Sequence, residues 1–214
     1  MRFKIDFHQP ETNVFRTAAK VLLSHGVVLH ATETVYGLAA VWDDLIALEK
    51  VIRLKQRPAA QPFTIMVARV DEMLSLIGWQ DETVKYFLEK IYPAPLTVLL
   101  KRRRELPSPF WNRFPELGFR IPDSPVCQQL LKAAGRPLIT TSANLTGEPP
   151  PATPEEVNPR ISKQVDCFID SGPCLFRIPS TIVKIDWDKK GYRVIRKGAY
   201  EVEAFHQLWE RMVR

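Results

Sequence analysis

Between residues 13 and 199 the hydrophobic period of the chain keeps changing, from the 3.6-residue spacing of an amphipathic helix to short apolar runs and back. Few architectures accept that alternation, because helices interleaved with strands bury their apolar faces by layering against a sheet. "NVFRTAAKVLLSHG" sets Val14, Ala18, Val21 and Leu22 on one helical face and stops at Gly26, and "VVLHA" follows as a buried strand. "DDLIALEKVIRLK" opens on an Asp cap and repeats Leu45, Leu48 and Ile52 at helical spacing ahead of the strand "PFTIMVA". A further helix spans "DETVKYFLEKIYP", capped by Asp81 and ended before Pro93. After the strands "LTVLLK" and "LGFRI", "SPVCQQLLKAAG" has Ser124 at the cap, Pro125 at the first helical position and Gly135 past the end. "PLITT", "VDCFI", "STIVKI" and "YRVIRK" complete the strands, the last two joined by the turn "DWDKKG". The Pro-rich stretch "GEPPPATPEE" predicts a rim loop leading into a helix capped by Thr153. The expected fold class is a layered α/β single domain over 1–214, with its core at about 11–199 and a C-terminal helix at about 201–214.

Composition narrows the class of partner. An apolar fraction of 45% and a charged fraction of 25% are those of an ordinary globular chain, and no apolar run approaches the ~18 residues of a membrane span. The N-terminal "MRFKIDFHQPE" lacks the apolar stretch of a signal peptide, so a cytoplasmic protein with no membrane partner is expected. Cys127, Cys167 and Cys174 are odd in number and show no C-x-x-C pairing, the pattern of reduced, buried thiols rather than of a disulfide framework or a zinc site. A net charge of +6 favours polyanionic partners, nucleotides or RNA. The sharpest basic run, "KRRR" at 101–104, reads either as a solvated strand end or as an RNA patch.

No G-x-x-x-x-G-K-[ST] or G-x-G-x-x-G is present, so a phosphate must be held by side chains, helix N-termini or hydroxyl-rich turns. The segments suited to holding one are "HATETVYGLAA" (30–40), "LKQRP" (54–58), "GFRIP" (118–122) and "TTSANLTG" (140–147). Arg120, flanked by Phe119 and Ile121, needs an anion if its side of the strand is buried, which can be an internal carboxylate or a ligand. Lys55 and Arg57 read as a solvated helix end or as phosphate contacts, and "TTSAN" as a turn satisfying its own backbone or as a nucleotide floor. His30 reads as a packed histidine, because no second His or Cys stands at ligand spacing.

Taken in order, these segments resemble the motifs of a known family. "TETVYGL" (32–38), "KQRP" (55–58), "YPAPLT" (92–97), "FRIP" (119–122), "TSANLTG" (141–147), "STIV" (180–183) and "IRKGA" (195–199) resemble the YrdC-type threonylcarbamoyl-AMP synthases over nearly the whole chain. The resemblance implies a twisted mixed β-sheet flanked by helices around a deep basic cavity. It implies an enzyme, a nucleotidyltransferase that joins L-threonine, bicarbonate and ATP into threonylcarbamoyl-AMP and pyrophosphate for the t6A modification of tRNA, with Mg²⁺ held mainly through the ATP phosphates. It also implies a downstream threonylcarbamoyl-transferase machinery. Carried over residue by residue, Thr32, Arg120, Thr140 and Ser180 would hold L-threonine. Lys55 and Arg57 would be the catalytic clamp on the ATP phosphates, with Ser142, Asn144 and Arg196 also on the nucleotide. The family usually has Pro at Ala31 and Gly at Ala39 and Ala94, often a lysine at Gln61 and, in some members, a polar residue at Met66. A non-catalytic binder of tRNA or double-stranded RNA, or a sister enzyme acting on another small acid, are the alternative readings.

Overall fold

The computed structural model describes residues 1–9, 11–58 and 61–213. In chain order its elements are β1 (Arg2–Lys4), α1 (Thr12–Leu23), β2 (Val28–His30), β3 (Gly37–Val41), α2 (Leu45–Lys55), β4 (Thr64–Met66), α3 (Val70–Ile77), α4 (Glu82–Ile91) and β5 (Leu96–Lys101). There follow α5 (Pro109–Asn112), β6 (Glu116–Arg120), α6 (Pro125–Ala134), β7 (Leu138–Ser142), α7 (Pro159–Ser162), β8 (Cys167–Asp170), β9 (Thr181–Asp186), β10 (Gly191–Arg196) and α8 (Val202–Met212). The strands join one mixed ten-stranded sheet in the order β1-β8-β2-β3-β7-β4-β6-β5-β9-β10, flanked by helices. Among the described residues no helix is long and apolar enough to cross a membrane.

Local chemistry sets the helix ends. Asp44 accepts from the N–H groups of Ile46 and Ala47, Asp81 from those of Thr83 and Val84, and Ser124 from that of Cys127, each side chain satisfying donors the helix leaves open. Gly135 closes α6 at φ +63°. Gly26 does not end α1 in this way, because the positive φ falls on His25. Gly26 is there for a close approach, since a Cβ would stand 2.4 Å from Val21 Cγ1. The expected inward face of α2 also shifts: Leu45 is 46% exposed, while Ala47, Leu48, Val51 and the terminal Lys55 are buried. The Thr153-capped helix does not form. Residues 153–157 are a turn, with Ala152 N donating to Glu156 Oε2 at 2.7 Å, and the short α7 starts at Pro159 under an Asn158 cap.

The sheet carries a row of short side chains in register. Ala39 on β3 pairs with Thr140 on β7, Thr140 with Thr64 on β4, and Thr64 with Gly118 on β6. Paired residues share a face, so the sheet is thin-skinned along this line. A Cβ on Gly118 would stand 3.5 Å from Thr64 Oγ1 and from Thr97 Cγ2, and a Cβ on Gly37 would stand 3.2 Å from Thr140 Oγ1. The cavity described next lies along this row.

Candidate active site

A cavity of about 540 Å³ is bordered by residues of the strands from β3 through to the edge strand β10, and all nine residues named as candidates border it: Thr32, Lys55, Arg57, Arg120, Thr140, Ser142, Asn144, Ser180 and Arg196. Its volume is in the ordinary range for a small-molecule site, about 300–1,000 Å³. Four of the bordering residues are cations, and none of the described ones is Asp, Glu, His or Cys. The wall therefore offers anions hydroxyls, amides and positive charge.

The cations fall into two pairs. Lys55, the last residue of α2, is not a solvated helix end; its ammonium donates to the carbonyls of Ser142 and Asn144 and to Asn144 Oδ1. Its own carbonyl accepts from Thr146 N and Thr146 Oγ1, both at 3.0 Å, so the lysine stitches α2 to the 142–146 turn from both ends. Burial and then the neighbouring Arg57 charge lower its pKa to about 8. Arg57 lies 4.4 Å over the Phe63 ring, and its Nη2 donates to Pro62 O and Gln61 Oε1. Gln61 thus steadies the arginine rather than adding a charge.

Arg120 and Arg196 form the second pair, close enough for the Arg120 charge to add to the effect of burial in lowering the proton affinity of Arg196. Arg196 donates to Ser180 O at 2.8 Å through Nη2, and Ser180 Oγ lies 3.0 Å from Thr97 Oγ1. Arg120 meets the internal carboxylate that is one of its two sequence readings: Nη2 donates to Glu33 Oε1 at 2.6 Å and to Thr34 Oγ1 at 2.9 Å. Nη1 has no protein partner among the described residues, so the guanidinium is anchored behind and open in front.

Several other side chains are occupied within the protein. The hydroxyl of Thr32 is spent inside its own turn, donating to Val35 O and accepting from the N–H groups of Thr34 and Val35. The "KRRR" run is stitched into the molecule. Lys101 and Arg103 meet Asp188, Arg102 donates to the carbonyls of Asn112, Phe114 and Arg104, and Arg104 donates to Leu76 O. His30 is fully buried with Nδ1 3.0 Å from Ala31 O, and burial pushes its pKa down to about 4. Met66 is fully buried and does not border the cavity. All three cysteines are free and buried.

The Sua5_yciO_yrdC family model, described as "Telomere recombination", matches residues 20–198. The chain belongs to the Sua5/YciO/YrdC family. A Methanocaldococcus jannaschii protein provisionally named threonylcarbamoyl-AMP synthase is 35% identical over 184 residues, 86% of this chain and 85% of that one. Escherichia coli YciO, which its name leaves uncharacterized, is 30% identical over 205 residues, 95% of this chain and 98% of that one. Among solved structures, Pyrococcus abyssi Sua5 complexed with L-threonine matches with a TM-score of 0.88 at 25% identity, covering 97% of this chain and 60% of that Sua5. Within this Sua5/YciO/YrdC cavity, the residues to which the sequence motifs assign no role include Thr34, Thr64 and Thr97 on the wall and Glu33 behind it. The alternation of Thr64 and Gly118 across neighbouring strands could have flagged the floor, since both are poor core formers in runs that are otherwise apolar.

Proposed function

We propose that this chain is a threonylcarbamoyl-AMP synthase, forming L-threonylcarbamoyladenylate and pyrophosphate from L-threonine, bicarbonate and ATP in the cytoplasm, for the t6A modification of tRNA. The observation that carries the reading is the pairing of functions on one wall: an arginine with a free Nη1 and a hydroxyl-rich turn pinned by Lys55, with Arg57 beside it, border the same cavity, and no carboxylate lines it among the described residues. Relatives that carry the synthase name, and a Sua5 whose structure holds L-threonine, support it.

In this scheme Nη1 of Arg120 takes the threonine carboxylate, with Thr140, Ser180 and the apolar part of Thr32 around the amino acid. Ser142 and Asn144 hold the nucleotide, and Arg57 and Arg196 face its phosphates. Lys55 supports the nucleotide through the turn it pins and adds its charge to theirs. The oxygen donors of the cavity are hydroxyls, amides and carbonyls, and no group of His, Cys, Asp and Glu suited to a metal occurs among the described residues. In this scheme Mg²⁺ would enter with the substrate as Mg·ATP, held mainly through the ATP phosphates.

The threonine amine and bicarbonate give an N-carboxylate and water. A carboxylate oxygen then forms its bond to the α-phosphorus as the bond to the pyrophosphate oxygen breaks, and the pyrophosphate leaves with the electron pair. No protein nucleophile is required, so the work of the wall is positioning and charge neutralisation. The test is pyrophosphate release from ATP. Release is expected to need both L-threonine and bicarbonate and to fall about 100-fold in Arg57→Ala, the size expected for losing one charge that stabilises the transition state. Release driven by another small acid and not by threonine would assign the chain to a sister activity, and release indifferent to both co-substrates would refute the synthase reading.

A further inference from the structure

Glu33 has no part in the scheme above, yet it is a fully buried acid beside the site. Its Oε1 accepts from Arg120 Nη2 at 2.6 Å and from the backbone N–H of Asp123 at 3.3 Å, while Oε2 has no partner. The second Nη2 proton of Arg120 goes to Thr34 Oγ1 at 2.9 Å. Thr34 Oγ1 lies 2.8 Å from Thr32 Oγ1, and because Thr32 gives its own proton to Val35 O, Thr34 is the donor between them. An ordered chain of donors therefore runs from the guanidinium into the 32–35 turn. Arg120 Nε is buried and unpartnered as well, so the pair is one-pronged where an Arg–carboxylate pair is often two-pronged.

That one-pronged contact has two consequences. Holding a single terminal nitrogen from behind fixes the plane of the guanidinium and leaves Nη1 as the exposed prong. The negative charge of Glu33, on the far side of the guanidinium from the cavity, also repels any carboxylate that Nη1 binds. The substrate carboxylate is unchanged by the reaction, so gripping it harder would hold substrate and product alike and add nothing to turnover. We propose that Glu33 is a positioning residue that aims Arg120 Nη1 into the cavity and, through its charge, keeps the grip on the substrate carboxylate weak enough to release. This rests on reading the Arg120 end as the amino-acid subsite.

The experiment is calorimetric titration of the whole protein with L-threonine, glycine and acetate, alongside thermal melts. Glu33→Gln keeps an acceptor at Oε1 and the side-chain volume but removes the charge. The unliganded variant should melt below the wild type, having an uncompensated buried arginine, and yet bind the carboxylate about tenfold more tightly, the size of a one-unit charge–charge effect. A residue that only held the fold together would lower the melting temperature without tightening binding, and that result would overturn the proposal. Thr34→Val keeps the charge and removes one of the two acceptors on Nη2; several-fold weaker binding is expected, and unchanged binding would also overturn it. A wild type that binds glycine or acetate but not L-threonine would refute the threonine reading while the Glu33 comparison proceeds with the acid that binds. A wild type that binds none of the three would refute both.

Discussion

Gly198 shapes the cavity by lacking a side chain. A Cβ there would stand 2.2 Å from Pro179 O and 2.5 Å from Ser180 C, and the close approach is held by Gly198 N on Thr181 Oγ1 at 2.9 Å and Ala199 N on Pro179 O at 2.9 Å. This staple places Ser180 against Arg196, and it gives the "IRKGA" segment a physical reason. Gly198→Ala is expected to cost about 2 kcal/mol in urea unfolding, the scale of a clash that must be relieved by backbone movement, and to weaken L-threonine binding. Lys55 supports a second expectation. The folded state loses the ammonium proton near pH 8, whereas the unfolded chain keeps it to about 10.5. Between those values the unfolded state binds more protons, so this group adds to stability as pH rises through the window, while the charge that pins the 142–146 turn is lost. ATP affinity should fall as pH passes 8, and the fall should vanish in Lys55→Met. At this scale the exposed prong of the chemistry was legible: an arginine alone in an apolar strand and a hydroxyl-rich turn both announce themselves. Glu33 did not, because nothing local in "TETVYGL" says that its acid is buried against a residue 87 positions away.

Helix boundaries were legible where a side chain caps them, since Asp44, Asp81 and Ser124 carry their function in their identity. Elements made of unsuited residues were not. The "GLAAV" strand of β3 has too little bulk to read as a strand, yet it is buried throughout because it lies mid-sheet between β2 and β7. The three-residue β1 is held by pairing to β8, far along the chain; α3 does set Val70, Met73, Leu74 and Ile77 at helical spacing, but over only eight residues, and the four-residue α5 is too short to show a period. The Pro-rich rim at 149–154 is anchored, since Pro151 O accepts from Tyr36 N at 2.8 Å and ties the loop to the cavity wall. Because α2 delivers Lys55 to the turn, its capping bears on the site. Asp44→Ala should cost about 1 kcal/mol of stability in denaturant titration and also weaken nucleotide binding, while a cap loss felt only in stability would show that α2 holds Lys55 from its C-terminal end alone.

Across the whole molecule, binding and stability are anchored in different places. Phe87, Trp187, Tyr192, Phe205 and Trp209 form a cluster of edge-on and tilted rings that fastens α8 to α4 and the β9–β10 edge, and none of them borders the cavity. Trp209→Ala should therefore cost about 3 kcal/mol on thermal or urea unfolding and leave the threonine dissociation constant unchanged at temperatures where the protein is folded. The layered α/β character was readable from the alternation of periods, whereas the strand order was not, because β7 and β4 come together only through tertiary pairing. That pairing brings Thr140 beside Thr64 on the wall of one cavity. The decisive measurement is mass spectrometry of the adenylate formed from ATP, L-threonine and ¹³C-bicarbonate. An AMP conjugate containing one threonine and one ¹³C atom, formed in step with pyrophosphate, is the expected product; AMP or ADP with no carbon taken from bicarbonate would contradict the synthase assignment.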